Sequence, residues 1–348
     1  MRIVVRGTNW IGDAIMTIPA LRELRRIFPE TSITLHSRSW AEGIFRDASF
    51  IDAILPFEND KRRYKNISIQ SQILSERGFD LAILFPNSFE SALTAMLASI
   101  PKRIGYNKDL RGLLLTDPIP VPEWKAYRHE VYYYLNLIAE VEKRFLGTET
   151  VLQQEPDSTL EISNQRKAVA RKTLHDAGVD SSRRTIALGV GSTNSCAKRW
   201  DLENYAALND RLQTELMTNV VLMGSLGEAG VSESVYDLSA RKPVILTGRT
   251  DLAEAAAVLS EIDVLVSNDM GLAHIAPAVG TKTAVIFGPT NPATTQPFSA
   301  NVTVIRKEVE CSPCMLRECP IDHRCMTRIS VADVFAICEQ ILNGKLVE

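Results

Sequence analysis

Short apolar runs alternate with helix-like patterns along the first half of the chain. Four runs rich in β-branched and other apolar side chains predict strands at residues 3–6, 33–35, 51–55 and 81–85. Over residues 13–28, apolar side chains recur at helical spacing, and Pro19 within that pattern predicts a kink or a late helix start. A strong helix is also predicted over 129–145. Strands that alternate with helices in this way predict a parallel, doubly wound sheet.

The same alternation restarts after a polar stretch. Residues 147–182 are rich in Ser, Thr, Gln and Asp, so we expect a linker there, with a short strand around 160–162. Further strands are predicted at 185–188, 220–223, 244–246, 264–266 and 283–287. We therefore expect two α/β domains, the first covering 1–165 and the second 166–348.

The predicted strands of the second half end in small or polar residues. The segments are Gly189-Val190-Gly191-Ser192-Thr193, Gly224-Ser225, Thr247-Gly248, Ser267-Asn268-Asp269 and Gly288-Pro289-Thr290. Ligands of open α/β sheets bind beyond the carboxyl ends of the strands. The second half is therefore the better candidate for binding a nucleotide.

Composition and charge narrow the class of protein. The chain has 348 residues, of which 45% are hydrophobic and 23% charged, as in an ordinary globular protein. Its formal net charge of -3 gives no bulk attraction to nucleic acid. No apolar run reaches the ~18–20 residues that span a bilayer, and the N-terminus does not resemble a signal peptide. We expect a cytoplasmic protein that could still contact the inner face of a membrane.

Basic side chains cluster at two places in the first half. They are Arg22, Arg25 and Arg26 in the first predicted helix, and Lys61, Arg62, Arg63 and Lys65 after the third predicted strand. A solvated face usually explains such a cluster. The functional alternative is attraction to an anionic lipid or a phosphorylated saccharide.

A loop with two glycines follows the first predicted strand and ends at a carboxylate. Its sequence is Gly7-Thr8-Asn9-Trp10-Ile11-Gly12-Asp13. The loop lacks the Lys-Ser/Thr pair of a P-loop, and neither half of the chain supplies a dinucleotide fingerprint, which argues against a nicotinamide oxidoreductase. Asp13 either caps the following helix or serves as a general base at the edge of a cleft.

Two loops of the second half carry residues suited to a phosphate. Hydroxyl and backbone N–H groups around Ser192 and Thr193 match phosphate oxygens, and Lys198 could neutralise a diphosphate, although a solvated loop is the alternative. In segment 267–274, Gly271 opens a small-residue helix whose N–H groups can approach an anion closely. His274, one turn further on, could reach a phosphate or a ribose, although a lone histidine is more often structural.

Two weaker signals accompany these loops. Glu228 could accept hydrogen bonds from ribose hydroxyls or be an ordinary surface carboxylate, and Thr247 could line a base pocket or simply belong to a turn. No Asp-x-Asp sequence occurs, which argues against a metal-dependent transferase of the GT-A type.

Four cysteines lie close together near the C-terminus. They are Cys311, Cys314, Cys319 and Cys325, with His323 nearby. Clusters of this density can bind a structural zinc ion, but the spacing does not give two Cys-x2-Cys pairs. Reduced thiols in a packed loop, or adventitious disulfides, are the favoured alternatives.

Together these motifs resemble the ADP-heptose:lipopolysaccharide heptosyltransferases of glycosyltransferase family 9. The matching segments are Gly12-Asp13, Pro86-Asn87-Ser88-Phe89, Ser91-Ala92-Leu93, Ile100-Pro101, Arg103-Ile104-Gly105-Tyr106, Gly191-Ser192, Lys198-Arg199-Trp200, Asn268-Asp269-x-Gly271-Leu272-x-His274 and Gly288-Pro289-Thr290. They span nearly the whole chain in the family's order. The Pro-Asn-Ser-Phe segment is typical of the heptosyltransferase II type, and the Cys-rich tail also resembles many members.

The resemblance implies a GT-B fold, in which two Rossmann-like doubly wound domains face a cleft. It implies inverting, metal-independent transfer of heptose from ADP-L-glycero-D-manno-heptose to the first heptose of the lipopolysaccharide inner core. The last helix of many GT-B proteins crosses back to the first domain, and residues 331–342 are the candidate for this.

The resemblance also assigns roles to individual residues. Asp13 would be the catalytic base, and Lys198 would bind the diphosphate. The other donor residues would be Ser192, Thr193, Glu228, Thr247, Asp269, Gly271 and His274, and the acceptor would meet Asn9, Trp10, Asn87 and Ser88. Two departures concern the donor contacts: Asp201 stands where Pro is frequent, and Met270 stands where Ser is common.

Two other functions stay open at this stage. A family member with another donor sugar or acceptor position would share all these motifs. A non-catalytic sugar-nucleotide-binding protein would not need Asp13 or Lys198, and both are present. Product formation distinguishes a transferase from a binding protein.

Overall fold

Each half of the chain builds its own six-stranded parallel sheet. The computed structural model describes residues 1–58, 63–192 and 195–344. The chain divides into two units, Met1–Ser158 and Thr159–Glu348. The described parts of each unit confirm the predicted parallel, doubly wound arrangement.

The first unit has the strand order β3-β2-β1-β4-β5-β6. Its strands are β1 (Arg2–Arg6), β2 (Ser32–Arg38), β3 (Ala53–Phe57), β4 (Leu81–Leu84), β5 (Lys102–Tyr106) and β6 (Asp117–Ile119). Its helices are α1 (Ile11–Met16), α2 (Ile18–Ile27), α3 (Ala41–Phe45), α4 (Arg63–Arg77), α5 (Phe89–Leu97) and α6 (Glu130–Leu146). β1 pairs with both β2 and β4, so the loop that follows it lies where the strand order reverses.

Helices cover both faces of this sheet. Ile3, Val4 and Val5 of β1 are buried, as expected of a parallel strand with helices on each side. α2 packs on α6, and α4 packs on α5. The predicted first helix is divided at Thr17, and Pro19 lies in the first turn of α2, where its missing N–H costs no helical hydrogen bond. Of the two outcomes predicted from Pro19, a kink or a late helix start, the structure shows a helix that starts at Ile18.

The second unit repeats the pattern with the order β12-β11-β10-β7-β8-β9. Its strands are β7 (Thr185–Gly189), β8 (Asn219–Leu222), β9 (Val244–Ile245), β10 (Val264–Asn268), β11 (Lys282–Phe287) and β12 (Val302–Arg306). Its helices are α7 (Asn164–Asp176), α8 (Leu202–Glu215), α9 (Ala229–Leu238), α10 (Leu252–Leu259), α11 (Gly271–Ala278), α12 (Pro292–Thr295), α13 (Arg324–Thr327) and α14 (Val331–Leu342). β10 lies between β7 and β11, so polar residues at its end sit at the centre of the sheet edge.

The segment predicted as a linker differs from the prediction in two ways. Residues 160–162 are not a strand, because the N–H of Leu160 finds a single partner, the carbonyl of Ala278 at 2.7 Å, and no ladder follows. The polar sequence after it forms α7, which buries only Ala170 and Leu174 and packs on α10. Two apolar positions are too few for the apolar pattern to reveal this helix.

The last helix completes the core of the second unit. Four side chains of α14 are buried in that core: Val334, Phe335, Cys338 and Ile341. α14 packs on α8 and lies against β10, β11 and β12. The helix considered for crossing back to the first domain therefore buries its apolar face in its own unit. Within the described residues, no helix is both long enough and apolar enough to cross a membrane.

Candidate functional site

A buried asparagine holds together the loops at the edge of the second sheet. Asn268, the last residue of β10, donates from Nδ2 to the carbonyls of Val190 (3.2 Å) and Gly191 (3.0 Å). Its Oδ1 accepts from the N–H of Trp200 (3.1 Å) and from the hydroxyl of Tyr205 (3.1 Å). One fully buried side chain therefore fixes both ends of the loop that carries Lys198.

Lys198 pairs with the carboxylate next along the chain from Asn268. Its Nζ lies 2.6 Å from Oδ2 of Asp269, and Thr290 donates to the same oxygen at 2.7 Å. The side chain of Asp269 is 6% exposed, whereas that of Lys198 is 26% exposed. The carboxylate thus orients an ammonium group that still reaches solvent, which suits a cation that must meet an anionic ligand.

His274 lies on the other side of the same carboxylate. It sits in the first half of α11, is buried, and places Nε2 4.0 Å from Oδ1 of Asp269. Gly271 is the first residue of that helix, where backbone N–H groups are available to an anion. The structure therefore brings together Lys198, Asp269, His274 and Thr290 at one point of the sheet edge.

Glu228 is a buried residue rather than a surface carboxylate. Its Oε2 accepts hydrogen bonds from the backbone N–H of Ser225 at 2.8 Å and from the hydroxyl of the same serine at 2.9 Å. A Cβ placed on Gly191 would come 2.1 Å from Oε1 of Glu228. The carboxylate is thus held against the loop after β7, and only a residue without a side chain fits opposite it.

The remaining predicted donor residues have different surroundings. Ser192 is buried, and its carbonyl accepts from Nε (3.2 Å) and Nη2 (2.9 Å) of Arg199. The hydroxyl of Thr247 is 2.7 Å from that of Ser232, and both side chains are buried. Thr193 lies outside the described residues.

The cysteine-rich segment packs against the loop that carries Lys198. The carbonyl of Arg317 accepts from the N–H of Ala197 (3.0 Å) and from the hydroxyl of Ser195 (3.1 Å). The ring of His323 places Nε2 2.6 Å from the carbonyl of Ala197. These contacts hold the backbone of Ala197, the residue before Lys198, in place.

The six cysteines are free thiols in different surroundings. In the described parts of the chain, no group of three or more His, Cys, Asp or Glu side chains is placed to hold a metal ion. Cys314 is exposed whereas Cys325 is buried, and the ring of His323 is directed at the backbone of another loop. The charges of Cys311, Cys314 and Cys319 act on Cys325 and, after burial, raise the pKa of its thiol.

In the first unit, Asp13 lies in the first turn of α1. The N-cap residue of that helix is Trp10, and its side chain makes no capping hydrogen bond. Asp13 lies inside the helix and is therefore not its cap. Asp13 is partly buried and its charge acts on the hydroxyl of Tyr134, whose pKa is raised first by burial and next by Asp13. Asn9 and Trp10, on the preceding loop, are exposed.

Asn87 and Ser88 occupy the loop after β4. Ser88 caps α5 by accepting from the N–H of Ser91 at 3.3 Å. The amide of Asn87 donates from Nδ2 to the hydroxyl of Tyr133 at 3.1 Å, and burial raises the pKa of that hydroxyl to about 12. The tyrosine therefore remains a neutral hydrogen-bonding group at neutral pH.

A buried arginine that sequence reasoning missed fixes this loop. Arg111 donates from Nε to the carbonyl of Tyr106 at 2.8 Å, from Nη1 to the carbonyl of Pro86, and from Nη2 to Oδ1 of Asn87 at 3.3 Å. Burial lowers the pKa of its guanidinium to about 10, so the charge persists at neutral pH. Its sequence signal is weak, because one arginine in a polar segment resembles a surface residue.

Replacing Arg111 by Met is expected to lower the free energy of unfolding by about 1–3 kcal/mol. The substitution leaves buried carbonyl oxygens without a donor while keeping most of the side-chain volume. Urea unfolding followed by fluorescence measures the change. The exposed Arg77→Met at the end of α4 is the matched control and should stay close to the parent. Equal stability of the two variants would show that Arg111 does not hold the loop.

The basic cluster of the first unit is only partly described. Arg25 and Arg26 of α2 pair with Asp52 (2.5 Å) and Glu23 (2.6 Å). Arg22 places Nε 3.4 Å from a carboxylate oxygen of Asp157. These three arginines thus have local ion-pair partners. Residues 61 and 62, and the side chain of residue 63, lie outside the described part of the chain.

Comparison with known proteins places the fold and the motifs in one family. Residues 70–324 match the family model of glycosyltransferase family 9 (heptosyltransferase). The chain is 30% identical to lipopolysaccharide heptosyltransferase 2 of Escherichia coli K12, over 88% of each protein. It is 28% identical to lipooligosaccharide heptosyltransferase 2 of Haemophilus influenzae, again over 88% of each.

Solved structures agree with this assignment. The structure of E. coli ADP-heptose lps heptosyltransferase II superposes with a TM-score of 0.83 at 26% identity and covers 99% of both chains. A family 9 glycosyl transferase from Veillonella parvula shares the fold, with a TM-score of 0.85 at 22% identity over 99% of this chain and 98% of that one. The resemblance that the motifs indicated and the GT-B fold class are both confirmed. The chain belongs to glycosyltransferase family 9, the heptosyltransferases.

Proposed function

We propose that this protein transfers heptose from ADP-L-glycero-D-manno-heptose to the first heptose of the lipopolysaccharide inner core. The observation that carries the proposal is the cluster of Lys198, Asp269, His274 and Thr290 at the carboxyl edge of the second sheet. The similarity to heptosyltransferases 2 supports the choice of donor and acceptor. The reaction takes place in the cytoplasm, with the lipid-linked acceptor presented at the inner face of the membrane.

The second unit binds the donor. The Lys198 ammonium group meets the diphosphate, and the N–H groups at Gly271 and around Ser192 and Thr193 donate to its oxygens. As the glycosidic bond breaks, negative charge develops on the leaving ADP, and these groups stabilise it without the need for a divalent ion. Asp269 orients Lys198, because its carboxylate holds Nζ at 2.6 Å.

Three further side chains contact the nucleotide sugar. Glu228 accepts hydrogen bonds from the ribose. The bond between its Oε2 and Ser225 holds the carboxylate in place beside Gly191. His274 contacts the phosphate or the sugar from the start of α11. Thr247 lines the base pocket, with its hydroxyl held by Ser232.

Replacing Gly191 by Ala is expected to weaken ADP binding at least ~10-fold. The new methyl group would come 2.1 Å from Oε1 of Glu228, so the carboxylate must leave the position where it meets the ribose. Losing one hydrogen bond to a charged group costs about 1.5–3 kcal/mol. Titration calorimetry with ADP measures the change.

Gly227→Ala is the matched control for this variant. Gly227 directly precedes Glu228 in the chain, and the nearest atom to an added Cβ would be Oγ of Ser225 at 3.9 Å. It should bind ADP as the parent does. Equal affinity of both variants would exclude Glu228 from the nucleotide site.

The first unit binds the acceptor and activates it. The Asp13 carboxylate takes the proton of the acceptor hydroxyl as that oxygen attacks the anomeric carbon from the face opposite ADP, which inverts the configuration. Asn9 and Trp10, exposed on the loop before α1, contact the acceptor together with Asn87 and Ser88. Tyr133 and Arg111 hold Asn87 in place.

A product assay tests the proposal. The full chain is incubated with ADP-heptose and a purified acceptor saccharide that carries one heptose, in EDTA. We expect one heptose to be added, and mass spectrometry and NMR give its number and anomeric configuration. Transfer from another nucleotide sugar with ADP-heptose inactive would reassign the donor. ADP binding without transfer from any donor would identify a binding protein instead.

A further inference from the structure

Three neighbouring strands of the first sheet end in two arginines and a phenylalanine. Arg6, Arg38 and Phe57 are the last residues of β1, β2 and β3. The guanidinium carbon of Arg6 lies 3.6 Å from the centroid of the Phe57 ring, and that of Arg38 lies 5.8 Å from it. Two cations thus share one aromatic ring at the edge of the sheet where ligands bind.

Arg6 forms no ion pair within the part of the chain that the structure describes: no Asp or Glu oxygen there lies within 4.0 Å of its guanidinium nitrogens. Nη1 of Arg6 lies 3.3 Å from Nδ1 of His36, and its buried Nε has no hydrogen-bond partner among the described residues. Burial lowers the pKa of Arg6 to about 9, while the charge of Glu90 acts in the opposite direction.

Two side chains beside Arg6, those of His36 and Arg38, add no negative charge to that of Glu90. His36 is buried, and its pKa is lowered first by burial and next by Arg6, so its ring stays neutral. Arg38 adds a second positive charge, which lowers the pKa of Arg6 further. Arg38 forms an ion pair with Glu58, whose Oε2 lies 3.6 Å from Nη2, and among the described residues its buried Nε has no hydrogen-bond partner.

The position of Arg6 connects it with the reaction. It is followed directly by the loop that leads to Asp13, and the N–H of Gly7 donates to the carbonyl of His36 at 2.9 Å. A guanidinium group presents a planar set of donors that matches the oxygens of a carboxylate or a phosphate. An anion bound between Arg6 and Arg38 would relieve the repulsion between their two positive charges.

We propose that Arg6 and Arg38 form an anion subsite that binds a carboxylate or phosphate group of the acceptor saccharide. This inference rests on the proposed function, because it takes the acceptor to be a saccharide that reaches the Asp13 loop. The ring of Phe57 packs against both guanidinium groups. The subsite selects acidic acceptors over neutral ones of the same shape. Arg6 and Arg38 are binding residues and take no part in bond breaking.

The test compares acidic and neutralised forms of one acceptor. The acidic form is the delipidated inner-core saccharide with one heptose, and the neutral form is the same saccharide after removal of phosphate and methyl esterification of carboxylates. The proteins are the parent, Arg6→Gln, Arg38→Gln, Arg6→Lys and the exposed control Arg77→Gln. Steady-state kinetics gives the KM for each form, and titration calorimetry gives the affinity for the acidic form without ADP-heptose.

We expect Arg6→Gln and Arg38→Gln to raise the KM for the acidic saccharide by about 10-fold or more, the effect of losing a hydrogen bond to a charged group. For the neutral saccharide the two variants should have the same KM as Arg77→Gln. Arg6→Lys should lie between the parent and Arg6→Gln, because it keeps the charge but loses the fork of donors. Arg38→Gln, at a less buried position, provides the test if Arg6→Gln does not fold.

Equal effects on the acidic and neutral saccharides would overturn the subsite and leave Arg6 as a packing residue. A parent protein that binds the acidic saccharide but transfers nothing would contradict the proposed function alone. In that case the subsite is judged by whether Arg6→Gln loses this binding. No binding of the acidic saccharide by the parent would overturn the subsite.

Discussion

Replacing Asp13 by Asn should lower kcat for heptose transfer at least ~100-fold, because a general base contributes about 10²–10⁴-fold. Asparagine keeps the size of the side chain but cannot take a proton from the acceptor hydroxyl. Since Asp13 is not the cap of α1, its loss should not unravel the helix. Initial rates with saturating ADP-heptose and the one-heptose acceptor measure the effect.

Glu42→Gln is the matched control for Asp13→Asn. Glu42 is also an acidic residue in the first turn of a helix of the same unit, α3, and it is exposed. Loss of a favourable interaction with the helix N-terminus costs only about 0.3–1 kcal/mol, so this variant should turn over as the parent does. If Asp13→Asn behaved in the same way, Asp13 would be a helix residue and another carboxylate would be the base.

Replacing Lys198 by Met should lower kcat by about 10²–10³-fold, the range found when one stabilising group is removed from a developing oxyanion. Methionine keeps the apolar stem but removes the charge that we propose stabilises the leaving ADP. The same assay measures the rate, and calorimetry with ADP shows how much of the loss is already present in nucleotide binding.

Two further variants separate catalysis from folding. Lys198→Met leaves Asp269 buried with Thr290 but no cation, so the double variant with Asp269→Asn restores a neutral pair. We expect the double variant to regain stability but not activity. Lys307→Met breaks an ion pair of 2.9 Å with Asp333 in the same unit and should leave the rate unchanged. Recovery of activity in the double variant would assign Lys198 a structural role.

The fold was predictable because its signals are local. Buried parallel strands give continuous apolar runs, and small or polar residues at their ends indicate the ligand edge before any contact is known. That reasoning identified Asp269 and His274, which the structure places 4.0 Å apart. It missed α7, because that helix buries only two apolar side chains and its sequence resembles a linker.

The supporting residues were harder to predict because their roles depend on distant segments. Arg111 binds carbonyl oxygens 5 and 25 positions away in the chain, and Arg6 meets His36 30 positions away. Nothing in the neighbouring sequence distinguishes these arginines from solvated ones. The surroundings of the cysteine-rich segment were hard to predict for a similar reason, because His323 and Arg317 contact the backbone of Ala197 in a distant part of the chain.

The division of the chain into two sheets has an evolutionary consequence. The candidate donor residues that the structure describes, from Ser192 to His274, lie in the second unit, whereas Asp13, Arg6 and Asn87 lie in the first. Under the proposed roles, substitutions that change the choice of acceptor can accumulate in one half of the gene without disturbing nucleotide binding in the other. A protein divided in this way can follow changes in the acceptor saccharide while the donor site stays the same.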